Sequence, residues 1–512
     1  MNSFITYPYP FETQNRKYLY DVGTNEILEI DESLFDAALA TLECDNPGLY
    51  WRNIRLTNDR MKELAEARSS GLLRAQEVDV VPYPSKEDVI EYFQKGYKLA
   101  DMLTIEVTDD CNLRCAYCLF NSPEGLRRTR GSRKATNEHL RSVINWYLTN
   151  SDSSKMRAIG FYGGEPLLCQ EEVLGAIDYI QSSVSKDEMI STHITTNGTL
   201  LTGEIARQLF RRDTHVSISL DGDKDTHDRS RLFPNGNGSF QIVLNNLKEL
   251  RREYGEDLKK HVSIQGVTDP MAWSEDLSGW QNLLNREPFL RELATSIRSI
   301  TIDDDTKPFY KHRKRKRNLK TRTNSDYPSV HHRKHADDLV KGIHDRDNIL
   351  RSCFDLSLKK IHNRPYTVPR CVNGKARFHT KGSCIFGTQR LYVDLDGKMY
   401  PCERVSDDMC IGSITQGLDK ERILELVQQW NDILQNNCNG CWAIRFCGKC
   451  PSVASSYYDK SKAIQDNCIS TQMHWGYFLK YYCSILEREK GSLDHLLEPS
   501  DLVTSKKDNE HD

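Results

Sequence analysis

The sequence predicts an α/β protein centred on a partial (β/α)6, TIM-like barrel, with a small α+β module before it and a cysteine-rich domain after it. Three observations carry this. Six apolar, β-rich runs alternate with helical patterns between residues 102 and 302, as βαβ units and a parallel sheet require. The 512 residues suffice for about three structural units. The 16 cysteines are clustered: Cys111, Cys115 and Cys118 close the first β-rich run, and eleven more lie from Cys353 to Cys483.

Composition narrows the class. Hydrophobic residues make up 38% and charged residues 28%, which excludes an integral membrane protein, collagen and a wholly disordered chain. The net charge of −3, from 70 basic and 73 acidic residues, offers no global field for nucleic acid or anionic lipid. The cysteine share is far below the roughly 8–10% of a small disulfide scaffold. The start, MNSFITYPYP, has neither the basic nor the apolar region of a secretory signal, and no segment reaches membrane-spanning length. A cytoplasmic chain with reduced thiols is expected, so clustered cysteines point to metal or redox chemistry.

Along the chain, residues 1–97 form the first module. Lys17–Asp21 and Glu26–Ile30 flank the turn-rich Val22-Gly23-Thr24-Asn25 and predict a hairpin. Asp31-Glu32-Ser33 then opens a helical run through Leu34, Ala37, Ala38 and Leu42. This module either recognises a leader peptide or simply packs against its neighbour. The barrel takes residues 98–303. Its expected strands are Met102–Val107, Ala158–Tyr162, Thr192–Thr195, His215–Leu220, His261–Val267 and Ile297–Ile302. Helices are expected at Glu138–Leu148, Glu171–Ser183, Glu204–Phe210 and Ile242–Tyr254. Residues 304–352 read as a polar, basic insertion containing KHRKRKRNLKTR at 311–322. A charge run in a neutral chain is better read as a solvated face than as a nucleic-acid site. The cysteine-rich domain spans 353–485 and a polar tail 486–512.

The sharpest motif is Cys111-x3-Cys115-x2-Cys118 at the C-terminal end of the first strand, where barrel folds place their sites. Soft thiolates suit iron–sulfur clusters or zinc. Three ligands leave a coordination position for a substrate or cofactor, and a distant fourth cysteine would instead close a structural site. With Tyr117 before the last cysteine, the loop resembles the cluster loop of radical S-adenosylmethionine enzymes. The resemblance implies that Cys111, Cys115 and Cys118 hold three irons of a [4Fe–4S] cluster, with S-adenosylmethionine chelating the fourth. Gly163-Gly164-Glu165-Pro166 after the second strand is similar to the family's motif at the methionine amino group. Asn197 ends the third strand, Ser219 resembles the ribose contact, and Arg231 is similar to the arginine that pairs with the cofactor carboxylate.

The tail reads Cys384-x12-Gly397-x4-Cys402, then Cys438-x2-Cys441-x5-Cys447-x2-Cys450, then Cys468. Between the first two, Arg390–Pro401 alternates like a hairpin with Asp396-Gly397 as its turn. On their own the CxxC pairs favour structural zinc. Together with the first loop they resemble the SPASM (twitch-related) extension, which carries two auxiliary [4Fe–4S] clusters. The resemblance assigns Cys438, Cys441, Cys447 and Cys468 to one cluster. It assigns Cys384, Cys402 and Cys450 to the other, with Cys371 as its fourth ligand. One departure is visible: the family usually separates the last pair of that run by three residues, and Cys447 and Cys450 are separated by two.

Relatives with this tail mostly modify peptides or proteins. The resemblance therefore implies a maturase of ribosomally made precursor peptides bearing a leader, served by an external donor such as flavodoxin or ferredoxin. Reductive cleavage of S-adenosylmethionine would give a radical that takes hydrogen from the peptide, most readily to install a Cys thioether. A sulfatase-type maturase making formylglycine is the nearest alternative and needs a protein base, for which Asp221 and Asp223 are candidates. A non-catalytic iron–sulfur carrier or scaffold is the alternative of another class. No nucleic-acid or membrane partner is expected.

Overall fold

The computed structural model describes residues 3–6, 8–22, 24–32, 34–35, 69, 76–80, 86–95, 101–118, 130–185, 187–268, 273–299, 330–342, 349–363, 370–372, 375–378, 384–438, 441–453 and 460–496. At some of these, including 353 and 371, only the backbone course is given. The helical run expected after Leu34, Cys44 and the basic run at 311–322 lie outside the described residues.

Four strands open the chain: β1 (Ser3–Thr6), β2 (Tyr9–Glu12), β3 (Lys17–Asp21) and β4 (Glu26–Ile30). A fifth, β5, spans Gln76–Val80. The six alternating runs form β6 (Met102–Thr108), β7 (Arg157–Gly163), β8 (Ile190–Thr196), β9 (Thr214–Ser219), β10 (Val262–Thr268) and β11 (Ala294–Ser299). They lie side by side in sequence order and pair in parallel. That order, with a helix between strands, is the partial-barrel arrangement expected. The first five agree with the sequence reading to within two residues. The sixth comes three residues earlier because its apolar register starts at Ala294, directly after the short helix Leu290–Leu293.

Strand alternation sorts the two faces. Leu103, Ile105, Ile159, Phe161, Ile194, Val216 and Ile264 are buried in one continuous core with the helices Asn137–Asn150, Gln170–Ser183, Gly203–Phe210 and Phe240–Tyr254. The opposite face carries Glu106, Tyr162, Thr195, Ser217 and Ser219, a polar lining suited to a working lumen. Thr136 and Thr202 cap two of the helices by accepting from His139 N and Ile205 N.

The cysteine-rich segment joins this sheet through its backbone. β12 (Arg370–Val372) and β13 (Lys375–Phe378) pair with each other, and β13 pairs with β5 beside β1. β14 (Arg390–Val393) lies parallel to β6, and β15 (Lys398–Tyr400) returns beside it. The turn is the one expected from Asp396-Gly397: Gly397 takes a φ of +75°, and Asp394 accepts from Asp396 N and Lys398 N. β16 (Gly412–Ser413) and β17 (Gly417–Leu418) complete a sheet of ten strands.

The expected hairpin exists as β3 and β4, with β2 completing a three-stranded meander. It packs on the cysteine-rich end of the chain. Tyr9 stacks on Trp442 at 3.7 Å between ring centroids, and Tyr20 meets Phe446 at 5.1 Å. Tyr18 donates to Glu487 and Arg445 donates to Val22 O. Tyr20 is fully buried in this seam. Tyr20→Ala is expected to cost about 3 kcal/mol, read as earlier thermal unfolding of the whole chain.

Candidate active site

β6 ends at Thr108, and the three cysteines follow on a loop held from several sides. Asp109 anchors its start: Arg133 N and Nε donate to its carboxylate at 2.7 and 2.8 Å. The same Arg133 reaches Asp396 in the β14–β15 turn at 3.0 Å, tying the loop to the cysteine-rich segment. The Arg130 and Arg114 guanidiniums both donate to the carbonyls of Cys111 and Leu113. Backbone bonds from Arg114 N to Leu232 O and from Ala116 N to Ser230 O lay the loop along the segment after β9.

The end of β7 fixes the loop's height. Gly164 N donates to Thr108 O at 2.7 Å, and Glu165 N to Asp110 O at 2.8 Å. The approach leaves no room for a side chain. A Cβ on Gly164 would lie 1.8 Å from Asp110 O, and one on Gly163, at a φ of +129°, 2.2 Å from Thr108 O. Pairing of glycines after the second strand is therefore demanded by the backbone itself.

Glu165 is buried, and its two oxygens are engaged within the chain. Leu167 N and Thr196 Oγ1 donate to one at 3.0 and 2.6 Å, and Asn197 N to the other at 2.7 Å. Burial raises its pKa, and these hydrogen bonds oppose the rise without cancelling it. Glu165 thus ties the end of β7 to the end of β8. Asn197 shapes its own turn by accepting from Thr199 N and Oγ1, and also reaches the loop. Its Nδ2 donates to Asn112 Oδ1 at 2.8 Å and lies 3.9 Å from Cys111 Sγ.

Across the loop, Arg231 pairs with Asp221 rather than presenting its whole fork to the lumen. Nε lies 2.7 Å from Oδ2 and Nη2 3.4 Å from Oδ1. Tyr117 donates to Asp221 at 2.5 Å, Val267 N at 3.0 Å, and the Tyr117 ring lies under the guanidinium at 5.4 Å. Burial alone would raise the Asp221 pKa, but Arg231 and His227 outweigh it and hold it below the usual carboxylate range. Asp223 caps the short helix Lys224–His227. Asp221 is engaged by Arg231, Tyr117 and Val267 N. Ser219 ends β9 on the lumen face, on the same side as Tyr162. Tyr162 is half-buried there, and desolvation together with Glu403 raises its pKa. It lies within electrostatic reach of Cys118 and of Glu403 and Arg404. The Asp221–Arg231–Tyr117 grouping was not read from the sequence. Its one signal was the acidic residue directly after the fourth strand.

The described cysteines form no disulfide. Desolvation pushes Cys111 up to about 11 and Cys115 to about 12, so both would be neutral thiols unless a metal replaced the proton. Leu113 N points at Cys111 Sγ from 3.4 Å, a donor of the kind that supports a metal-bound sulfur. In the tail, Cys438, Cys441, Cys447 and Cys468 line one cavity, with Gln472 Nε2 3.6 Å from Cys441 Sγ. Cys384 and Cys402 each lie within electrostatic reach of Cys450. Desolvation pushes Cys402 to about 12 and Cys468 to about 11. Among the described residues, no three His, Cys, Asp or Glu side chains are gathered tightly enough for a single metal ion. The Cys371 side chain lies outside the described residues.

This loop on a parallel sheet, with a glycine pair against it, belongs to a known class. Residues 105–270 match the Radical SAM superfamily model, and this part of the chain is a radical SAM domain. It is 29% identical over 156 residues to the cysteine-type anaerobic sulfatase-maturating enzyme of Clostridium novyi, covering 30% of this chain and 41% of that protein. It is 27% identical over 178 residues to mycofactocin maturase MftC of Mycolicibacterium smegmatis, covering 34% and 41%. The chain thus spans less than half the length of these curated relatives. The fold is similar to that of the solved structure of native anSMEcpe with bound AdoMet. The TM-score is 0.53 at 19% identity, over 77% of this chain and 100% of that one. Among the described residues no helix is long and apolar enough to cross a membrane.

The glycine contact and a buried histidine each lead to a measurable outcome. Gly164→Ala displaces the Cys111–Cys118 loop, so the folded protein binds less iron after anaerobic reconstitution than its parent. His227 is fully buried, accepts from Asp221 N and meets Ser239 Oγ at 2.9 Å, and burial lowers its pKa to about 4. The folded value lies below the unfolded 6.5, so the unfolded chain binds more protons between pH 6.5 and 4. Stability is expected to fall through that window as pH drops, by about 2 kcal/mol at pH 5 from this histidine, measured by denaturant unfolding of the parent against His227→Gln.

Proposed function

We propose that the chain is a radical S-adenosylmethionine enzyme that modifies a peptide or protein. The observation that carries this reading is the loop of three half-buried thiols, none in a disulfide, at the end of β6, clamped by Gly163 and Gly164. Cys111, Cys115 and Cys118 would hold a [4Fe–4S] cluster that, with S-adenosylmethionine bound, would supply the radical chemistry for taking a hydrogen atom from the substrate. The chain's own part is placement. Arg130 and Arg114 hold the loop carbonyls, and Asn197 steadies Cys111. Asp221 fixes Arg231 and Tyr117, leaving Nη1 of Arg231 for a cofactor carboxylate. Ser219 stands at the strand end where a ribose would lie. Tyr162 narrows the lumen within electrostatic reach of Cys118. A C–H bond held there would be close to the radical and shielded from water.

The two tail groups are read as auxiliary [4Fe–4S] clusters, one on Cys438, Cys441, Cys447 and Cys468 and one on Cys384, Cys402, Cys450 and Cys371. Such clusters would be acceptors for the electron released when the substrate is oxidised. The product read from this arrangement is a thioether between a peptide cysteine and an oxidised carbon. It fits the engagement of Asp221 by Arg231, Tyr117 and Val267 N, since formylglycine formation needs a base. The similarity to sulfatase-maturating enzymes favours formylglycine as the second reading. The substrate is a ribosomally made precursor peptide whose leader adds to β4, an edge strand of the meander. A flavodoxin or ferredoxin supplies electrons in a cytoplasmic setting.

Mass spectrometry of a short peptide encoded beside this gene and co-expressed with the enzyme tests this. A thioether removes two hydrogens and keeps the sulfur, whereas formylglycine from cysteine loses it. Cys115→Ala is expected to abolish both 5′-deoxyadenosine and product, and product formation by that variant would end the radical reading.

A further inference from the structure

We infer that Lys449 sets the reduction potential of the group held by Cys438, Cys441, Cys447 and Cys468. This rests on the reading of those cysteines as ligands of an iron–sulfur cluster. Lys449 would be a positioning residue for charge, acting through the cluster rather than on the substrate.

The placement is specific. The cavity enclosed by the four cysteines has Leu434 and Ile444 among its lining, and Lys449 supplies its cation. Lys449 lies within electrostatic reach of Cys447 and Cys468, and also of Cys450, which belongs to the other group. Lys449 thus lines the four-cysteine cavity and is the chain neighbour of Cys450. The reason is in the sequence: in Cys447-Gly448-Lys449-Cys450 the lysine directly precedes the ligand that changes sides. Only two residues separate these cysteines, so the cation is bound to both groups by the chain itself. The neighbouring Lys360 is turned elsewhere, donating to Phe446 O at 2.5 Å and standing over the Trp475 ring.

The consequence follows from charge. Reduction adds one electron to the cluster, whose thiolates already make it negative. A positive charge beside it stabilises the reduced form more than the oxidised one; burial strengthens that pairing by lowering the local dielectric, while desolvation of the ammonium itself works against it. Gln472 adds a weaker push in the same direction through its N–H toward Cys441. Lys449 thereby makes this group a better electron acceptor, and its reach to Cys450 extends the bias toward the neighbouring group.

The test uses the full chain, reconstituted anaerobically, with Cys111, Cys115 and Cys118 replaced by Ala so that only the tail groups contribute. Iron and sulfide content and the midpoint potential by EPR-monitored titration are measured for this parent, Lys449→Met, Lys449→Gln and Lys449→Arg. The signal belonging to the four-cysteine group is identified by its loss in Cys468→Ser. The expected result is full iron loading throughout, a more negative midpoint in the Met and Gln variants, and a midpoint near the parent's in Arg, whose charge does not titrate. An unchanged midpoint in loaded Lys449→Met or Lys449→Gln overturns the inference. Loss of iron from both neutral variants but not from Arg also overturns it, since Lys449 would then hold the cluster rather than tune it. A parent without tail iron instead overturns the cluster reading on which the inference stands.

Discussion

The site depends on one close approach of backbone to backbone. β6 and β7 end at the same height, and the loop leaving the first runs across the end of the second. Gly164 N and Glu165 N donate into it at Thr108 O and Asp110 O. A Cβ at Gly164 would overlap Asp110 O, so the contact exists only because two glycines follow the second strand. With that contact made, Cys111 lies under Asn197 and Arg130, and Cys115 faces Arg231. Moving the glycine turn would move all three sulfurs together.

The buried carboxylates are best understood as ties. Glu165 joins β7 to β8 through three donors, and Asp221 joins the end of β9 to Val267 of β10, to Arg231 and to Tyr117. Removing one member of such a pair leaves its partner charged or polar in a buried place, at a cost of about 3–5 kcal/mol for an ion pair. These residues hold strand ends in register, so the lumen's chemistry is left to sulfur and to whatever binds there. Arg133 extends the same logic outward by linking Asp109 to Asp396, so the tail is anchored at the site itself.

Much of this was legible in the sequence, for physical reasons that differ by element. Buried parallel strands read as apolar runs, so β6 to β10 were found to within two residues, whereas β11 slipped because Leu290–Leu293 blurs its start. The two tail groups came from the family resemblance rather than from local pattern; Cys438, Cys441, Cys447 and Cys468 line one cavity. The roles of Glu165 and Arg231 were only partly legible. A motif names a residue type, but whether its polar atoms face a ligand or a neighbouring strand depends on contacts across many residues of chain. Arg231 and Asp221 are ten apart in sequence yet meet only because both flank the end of β9. The hairpin was legible and its neighbour was not: Tyr9 stacks on Trp442, a pairing no local pattern encodes.

The central claim is that the Cys111–Cys118 loop carries a cluster with one iron open to S-adenosylmethionine. The most direct test is EPR of the anaerobically reduced full chain, recorded with and without S-adenosylmethionine, in a variant whose tail cysteines Cys402 and Cys468 are replaced by Ser. The account predicts a reduced [4Fe–4S] signal whose g-values shift when S-adenosylmethionine is added. A signal that S-adenosylmethionine leaves unchanged would contradict it.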